Sequence, residues 1–214
     1  MPSNSRKLFK SKLLPDVGAL LESHRVLNPT GRGRRALGHI TRSGVVMLCA
    51  AWELYIEEVA KEAADHIAAR ARTPDDLPLR LRQKISRVVR NHKNEVAPLL
   101  LCGDGWRNVY KNRVKQLSEN LNTPKFGNID ELFSKCLDLS GVNLSWRHDK
   151  SDLNAFVSIR GEIAHRGADA RYVKVKDLRE YKNVIDDLVK DTDDAISAHI
   201  RDITSVGTLP WRRT

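Results

Sequence analysis

Cysteine is scarce in this chain, and the three present, Cys49, Cys102 and Cys136, lie far apart. An odd number without CxxC spacing supplies neither a disulfide framework nor a zinc site. No stretch approaches the roughly 18 consecutive apolar residues that a membrane span requires. The basic start, Met1 to Lys12, lacks the apolar run of a secretory signal. Two-residue alternation of apolar and polar residues, the mark of a half-buried strand, is nearly absent, as are internal repeats and low-complexity tracts. These absences set the expectation of a cytoplasmic protein that does not engage a membrane.

What is present in abundance is charge of one sign. Among 214 residues, 37 Lys and Arg face 27 Asp and Glu, a formal net charge of +10. Such a balance favours a polyanionic partner, RNA or DNA ahead of an anionic membrane, or serves solubility alone. The length fills one core, so the chain reads as a single domain over 1–206 with a flexible basic tail at 207–214.

Apolar residues recur at three- and four-residue steps along most of the sequence, which predicts an all-α fold. Helices are expected at 6–24, interrupted or kinked by Pro15, and at 36–71, where Val45, Leu48, Cys49, Trp52, Ile56, Val59, Ala60, Ala63 and Ile67 share one side. A Gly/Arg loop at 28–35 separates them. A basic helix follows at 79–96, with Arg80, Arg82, Lys84, Arg87, Arg90 and Lys93 set between Leu81, Ile85, Val88 and Val89. Its polar face is a candidate RNA surface or a solvated charged face. Shorter helices at 106–121 and 128–139 complete a middle section, 73–140, that reads as a helical insertion. Two more helices, 152–165 and 175–203, close the fold, the last with an acidic face of Asp186, Asp187, Asp191, Asp193 and Asp194.

Arginine followed by histidine after four intervening residues occurs three times: Arg34 with His39, Arg87 with His92, and Arg160 with His165. Context separates the third pair. Starting a helix at Ser151 or Asp152, both good N-caps, the residues Leu153, Phe156, Val157, Ile163 and Ala164 cluster on one stripe. Arg160 falls near its centre, where an unpaired guanidinium is costly. His165 lies roughly 140° round the helix from Arg160, just before Gly167 at the expected C-cap. Trp106, Trp146 and Trp211 are either base-stacking platforms or loop anchors, while His39, His92 and His148 show no partner in the sequence.

Two segments carry a family resemblance. Ile159-Arg-Gly-Glu-Ile-Ala-His-Arg-Gly167 matches an Arg...Ile-Ala-His-x-Gly helix end, and Val45 to Ala63, containing Leu48-Cys-Ala-Ala-Trp-Glu-Leu-Tyr-Ile-Glu-Glu58, matches a long early helix. In both the chain resembles the HEPN superfamily of α-helical ribonucleases, and within it the RiboL-PSP branch related to the RNase L nuclease domain. Gly161 departs from the family, which often places Asn or another polar residue there.

The resemblance implies a HEPN-type helical bundle and endoribonuclease activity without a metal ion or cofactor, with Arg160 and His165 as catalytic residues. Their chemistry suits the task. Attack of a 2'-hydroxyl on the neighbouring phosphate needs a proton-transferring group, and an imidazole titrates close to neutrality. It also needs a cation with a fixed fork of donors for the phosphate oxygens, which arginine supplies. Glu53, in the family-like early helix, is the first candidate anion for Arg160, and Glu162 within the motif is a second supporting carboxylate. Arg166, Arg171 and Lys174 are candidates for holding flanking RNA phosphates.

The angular offset of Arg160 and His165 favours a two-fold homodimer whose symmetric interface gathers both pairs, as the resemblance also implies. It further implies a toxin or phage-defence effector restrained by an antitoxin or regulatory protein. The alternative expectation is a catalytically inactive HEPN-like module that binds RNA or protein.

Overall fold

The computed structural model describes residues 1–30, 36–204 and 206–212. Most of the Gly/Arg loop, Arg34 with it, lies outside the described residues. Among these residues there is no strand, and the fold is all-α. Its elements are α1 (Asn4–Leu8), α2 (Leu14–Leu27), α3 (Gly38–Arg70), α4 (Leu79–Arg90), α5 (Gly105–Ser118), α6 (Phe126–Leu137), α7 (Lys150–Arg166) and α8 (Val175–Ile203).

The long helix α3 is the axle. It packs against α1, α2, α5, α6, α7 and α8, and every apolar residue expected on its inner side is buried. A side chain completely enclosed in this way stabilises the fold by about 1.5–3 kcal/mol for the larger residues. Trp52 and Tyr55 stack at 5.9 Å between ring centroids, with Trp146 edge-on to Trp52 at 6.4 Å. Gly44 lets α8 approach, because any side chain there would run into Leu178. One continuous core takes in Phe9, Leu81, Trp106, Phe133, Leu153, Ile196 and Trp211, so the middle helices share it rather than forming a core of their own.

Pro15 neither breaks nor ends the first helix. A π-helical turn at Phe9–Leu13 joins α1 to α2, and the Leu14 N–H reaches back to the Phe9 carbonyl. The wider turn accommodates a proline that lacks the N–H for an ordinary helical bond. Two boundaries also differ from expectation. The basic helix α4 ends at Arg90 rather than near Val96, the chain continuing through turns into a 3-10 segment at Ala97–Leu101. The motif helix α7 starts at Lys150 because Asp149, not Ser151 or Asp152, caps it, accepting the Ser151 N–H at 2.7 Å.

The segment from Gly207 to Arg212, expected to be flexible, docks on the bundle. Trp211 is buried against His66, its indole N–H donates to the Asp193 carbonyl at 3.1 Å, and its own carbonyl accepts from Ser197 at 2.7 Å. The Arg212 N–H meets the Met1 carbonyl at 2.9 Å. The aromatic ring decides this: one large apolar side chain outweighs the surrounding Gly, Pro and Arg. Trp106 and Trp146 are buried as well, which removes all three from any role in stacking bases. No helix among the described residues is long and apolar enough to cross a membrane.

Candidate active site

Helix α7 buries Leu153, Phe156, Val157, Ile159 and Ile163 against the bundle. The real stripe is therefore turned toward Ile159, and Ala164 is exposed. Arg160 sits at its edge, half-buried, and lines a cleft. His165 is exposed on the last turn. Both nonetheless line the same cleft, about 300 Å³ in volume, within a single chain. Gly161, roughly 100° past Arg160 and 40° short of His165 on the helical wheel, lines it between them. A bare backbone leaves the surface between the two side chains open. A Cβ at Gly161 would meet nothing within 4 Å, so the glycine is not enforced by crowding.

The cleft floor belongs to α3. Cys49 lines it, and the Arg160 charge acts on both Cys49 and Glu53. Burial pushes the Cys49 thiol up to about 11, with Arg160 pulling the other way. Burial likewise raises the Glu53 carboxyl above its ordinary value, again opposed by Arg160. Arg160 and Glu53 thus act on one another electrostatically. Among the described residues, however, no hydrogen bond or ion pair within 4 Å joins Arg160 to any side chain. Its five donors are available to a ligand.

The opposite wall is the loop Asn122 to Lys125, which sequence reasoning missed. It is held from three sides. The Trp52 indole N–H donates to the Pro124 carbonyl at 3.1 Å, Asn154 of α7 accepts the Phe126 N–H at 3.0 Å, and the Asn128 amide donates to the Thr123 carbonyl at 2.7 Å. Lys125 therefore lines the cleft as a second cation beside Arg160. Its only sequence signal is a proline-lysine step before an amphipathic helix, too common to single out.

Glu162 turns away from the chemistry and fastens the chain after the motif: its carboxylate accepts the Arg171 N–H at 3.0 Å. Gly167 ends α7 with φ of +55°, a value that favours glycine, and the Val173 carbonyl then accepts the Thr41 hydroxyl at 2.7 Å. Arg166, Arg171 and Lys174 are all exposed around this turn, and none lines the cleft. Of the remaining histidines, His148 does have a partner, Asp187, at 3.0 Å. The acidic face of α8 is partly internal, with Asp191 and Asp193 buried. Among the described residues, no three of His, Cys, Asp or Glu come together as a metal-ligand set would.

The RiboL-PSP-HEPN family model matches residues 19–198, a span that contains α3, the cleft loop and the whole of α7. The chain belongs to the RiboL-PSP branch of the HEPN superfamily. No curated protein and no solved structure matches it. The early helix, the middle helices and the Arg160-to-His165 helix end all fall within the matched span.

Proposed function

We propose that this HEPN protein is an endoribonuclease that cleaves RNA by attack of a 2'-hydroxyl on the adjacent phosphate, with no metal ion in the step. His165 moves the proton and Arg160 holds the non-bridging oxygens, leaving a 2',3'-cyclic phosphate and a 5'-hydroxyl. The observation that carries the reading is the shared cleft, which Arg160 and His165 both line with the guanidinium unengaged by any carboxylate. Lys125 adds charge for the same phosphate, and Glu53 offsets part of the arginine's charge without consuming its donors. The family membership supports the same class of activity.

The working assembly in this proposal is a two-fold homodimer. One chain brings both residues to one cleft, so their angular offset on α7 does not by itself require a second copy. A different feature supports the dimer: Val46 and Met47 are exposed apolar residues on α3, about one turn before Cys49 and about two before Glu53, and give such an interface its apolar surface. Light scattering of the purified chain distinguishes dimer from monomer, and a fully active monomer would remove the dimer from the proposal. A toxin or defence role in the cytoplasm, with a restraining antitoxin, extends the reading to the cell.

The deciding experiment incubates the purified chain with total RNA in EDTA, beside His165→Ala. Cleavage by the first and not the second, with cyclic phosphate ends, is the expected result. RNA binding without cleavage by either would instead identify a catalytically inactive module.

A further inference from the structure

The cleft of Arg160 and His165 is one end of a longer depression. Next to it lies a second cleft of about 330 Å³, and the two share Asn122 and Thr123. A third, about 360 Å³, shares Leu117 and Lys135 with the second and sits among α4, α5 and α6. The far section is lined by Lys84, Arg87, Arg113 and Lys135. The middle section is lined by Asn120, Asn122 and Asn128, with Glu131 beside them paired to Lys135; Asn120 and Asn128 each spend one amide N–H on a backbone carbonyl. A track of cations, then amides, thus leads to the motif.

These cations line one cleft. Lys84, Arg113 and Lys135 all act on the same buried thiol, Cys136, which burial pushes up to about 12 while the three charges pull it down. Lys84 is partly neutralised by Asp138 at 3.2 Å, and Lys135 pairs with Glu131. Arg87 has no ion pair among the described residues, and Arg113 meets only the neutral Gln116 at 2.9 Å. Arg87 and Arg113 are therefore the uncompensated pair, and both are exposed.

We infer that this groove binds single-stranded RNA through its phosphodiester backbone, feeding the strand toward Arg160 and His165. The groove's ligand class rests on the ribonuclease reading, but its binding does not require cleavage. Beyond the motif histidine itself, the clefts contain no Phe, Tyr or Trp among their described lining residues, so the approach to the motif offers bases no large stacking platform. A strand held by cations and amides alone is gripped with strong salt dependence and weak sequence preference. An acidic protein segment would use the cations but has less need of the amide section beside the motif.

The test measures binding of a 2'-O-methyl RNA of about 15 nucleotides, a length an extended groove can cover, by fluorescence anisotropy across a salt series. This RNA lacks the attacking hydroxyl, so absence of ribonuclease activity would overturn the proposed function and leave this result readable. The full chain is compared with Arg87→Ala/Arg113→Ala. Losing two phosphate contacts should make the log-log salt slope shallower by about 1.4 and weaken binding by about 20-fold near 0.1 M salt. The single variant Arg87→Gln should shift the slope by about half as much, and it serves if the double variant does not fold. Unchanged affinity and slope in a folded variant, or no RNA binding by the unaltered chain, overturns the inference. So does a variant that keeps RNA but loses binding to polyglutamate, which would assign the groove to an acidic protein.

Discussion

Two charged sites of this protein, one buried and one beside a cleft, are built in opposite ways. At the N-terminus of α1, Asp193 is fully buried and accepts both the Ser3 hydroxyl and the Ser3 N–H, the latter at 3.3 Å. The Ser3 oxygen in turn accepts the Arg6 N–H at 2.9 Å, while Glu62 takes the Asn4 and Ser5 N–H groups at 2.8 Å each. Every N–H that opens this helix is satisfied. At the motif, Arg160 and Glu53 are half-buried, act on one another at a distance, and close no bond within the described residues. A satisfied buried charge stabilises a structure; one left open beside a cleft is available to a ligand.

If that contrast is real, the two places should separate activity from stability. The largest effect is expected at His165→Ala, which removes the proton-transferring group and should lower cleavage about 10²–10⁴-fold. Because His165 is exposed, the melting temperature should hardly move. Fluorogenic RNA cleavage beside a thermal melt measures both, and a destabilised variant with ordinary cleavage would place His165 with the structural groups. Arg160→Lys comes next. It keeps the charge but loses the fork of donors, and a loss of about 10²–10³ in kcat is expected with folding intact. An unfolded Lys variant would make Arg160 a structural ion pair, and the contrast would collapse.

The opposite signature is expected at Asp193. Replacement by Ala strands the Ser3 donors and should cost about 1–3 kcal/mol of stability, with cleavage unchanged once the protein is folded. Its pH dependence has a definite sign. Burial lifts the Asp193 carboxyl above its ordinary value, to about 6, partly opposed by the Ser3 hydrogen bonds. A carboxyl raised in the folded state favours folding fully below its unfolded value, and that contribution is lost as pH rises through about 6. Denaturant melts of the unaltered chain and Asp193→Asn should therefore show a difference in stability that changes between pH 4 and 7. A constant difference would mean that Asp193 is charged throughout.

The fold was legible because its helices are long and their apolar sides regular. The expected 175–203 helix coincides with α8, and the inner side of α3 was read residue by residue. Errors fell where one local bond outranks periodicity, as at the Asp149 cap, or where one large ring recruits a polar segment, as at Trp211. In the site, Arg160 and His165 were visible because they share a helix and break its pattern. The angle between them suggested separate destinations, since a helical wheel records Cα directions and not the reach of an arginine. Lys125 was invisible for another reason: it comes to the cleft only through the Trp52 to Pro124 bond and the Asn154 brace.

The smallest effect should come from Gly161, and it asks what the open cleft is for. Glycine inside a helix costs roughly 0.5–1 kcal/mol relative to alanine. A Cβ at this position has free space around it. Gly161→Ala should then raise stability by about that amount, a shift a denaturant melt resolves. The same methyl group would stand between Arg160 and His165, where a bound phosphate must sit if both residues act on it. Gly161→Asn sharpens the test, because it adds a polar side chain in the same gap. If the gap is the reaction space, both variants should be more stable or neutral in folding yet several-fold slower in cleavage, through KM more than kcat. Faster cleavage by the Asn variant would show instead that the gap is a missing contact, and that the site gains from filling it.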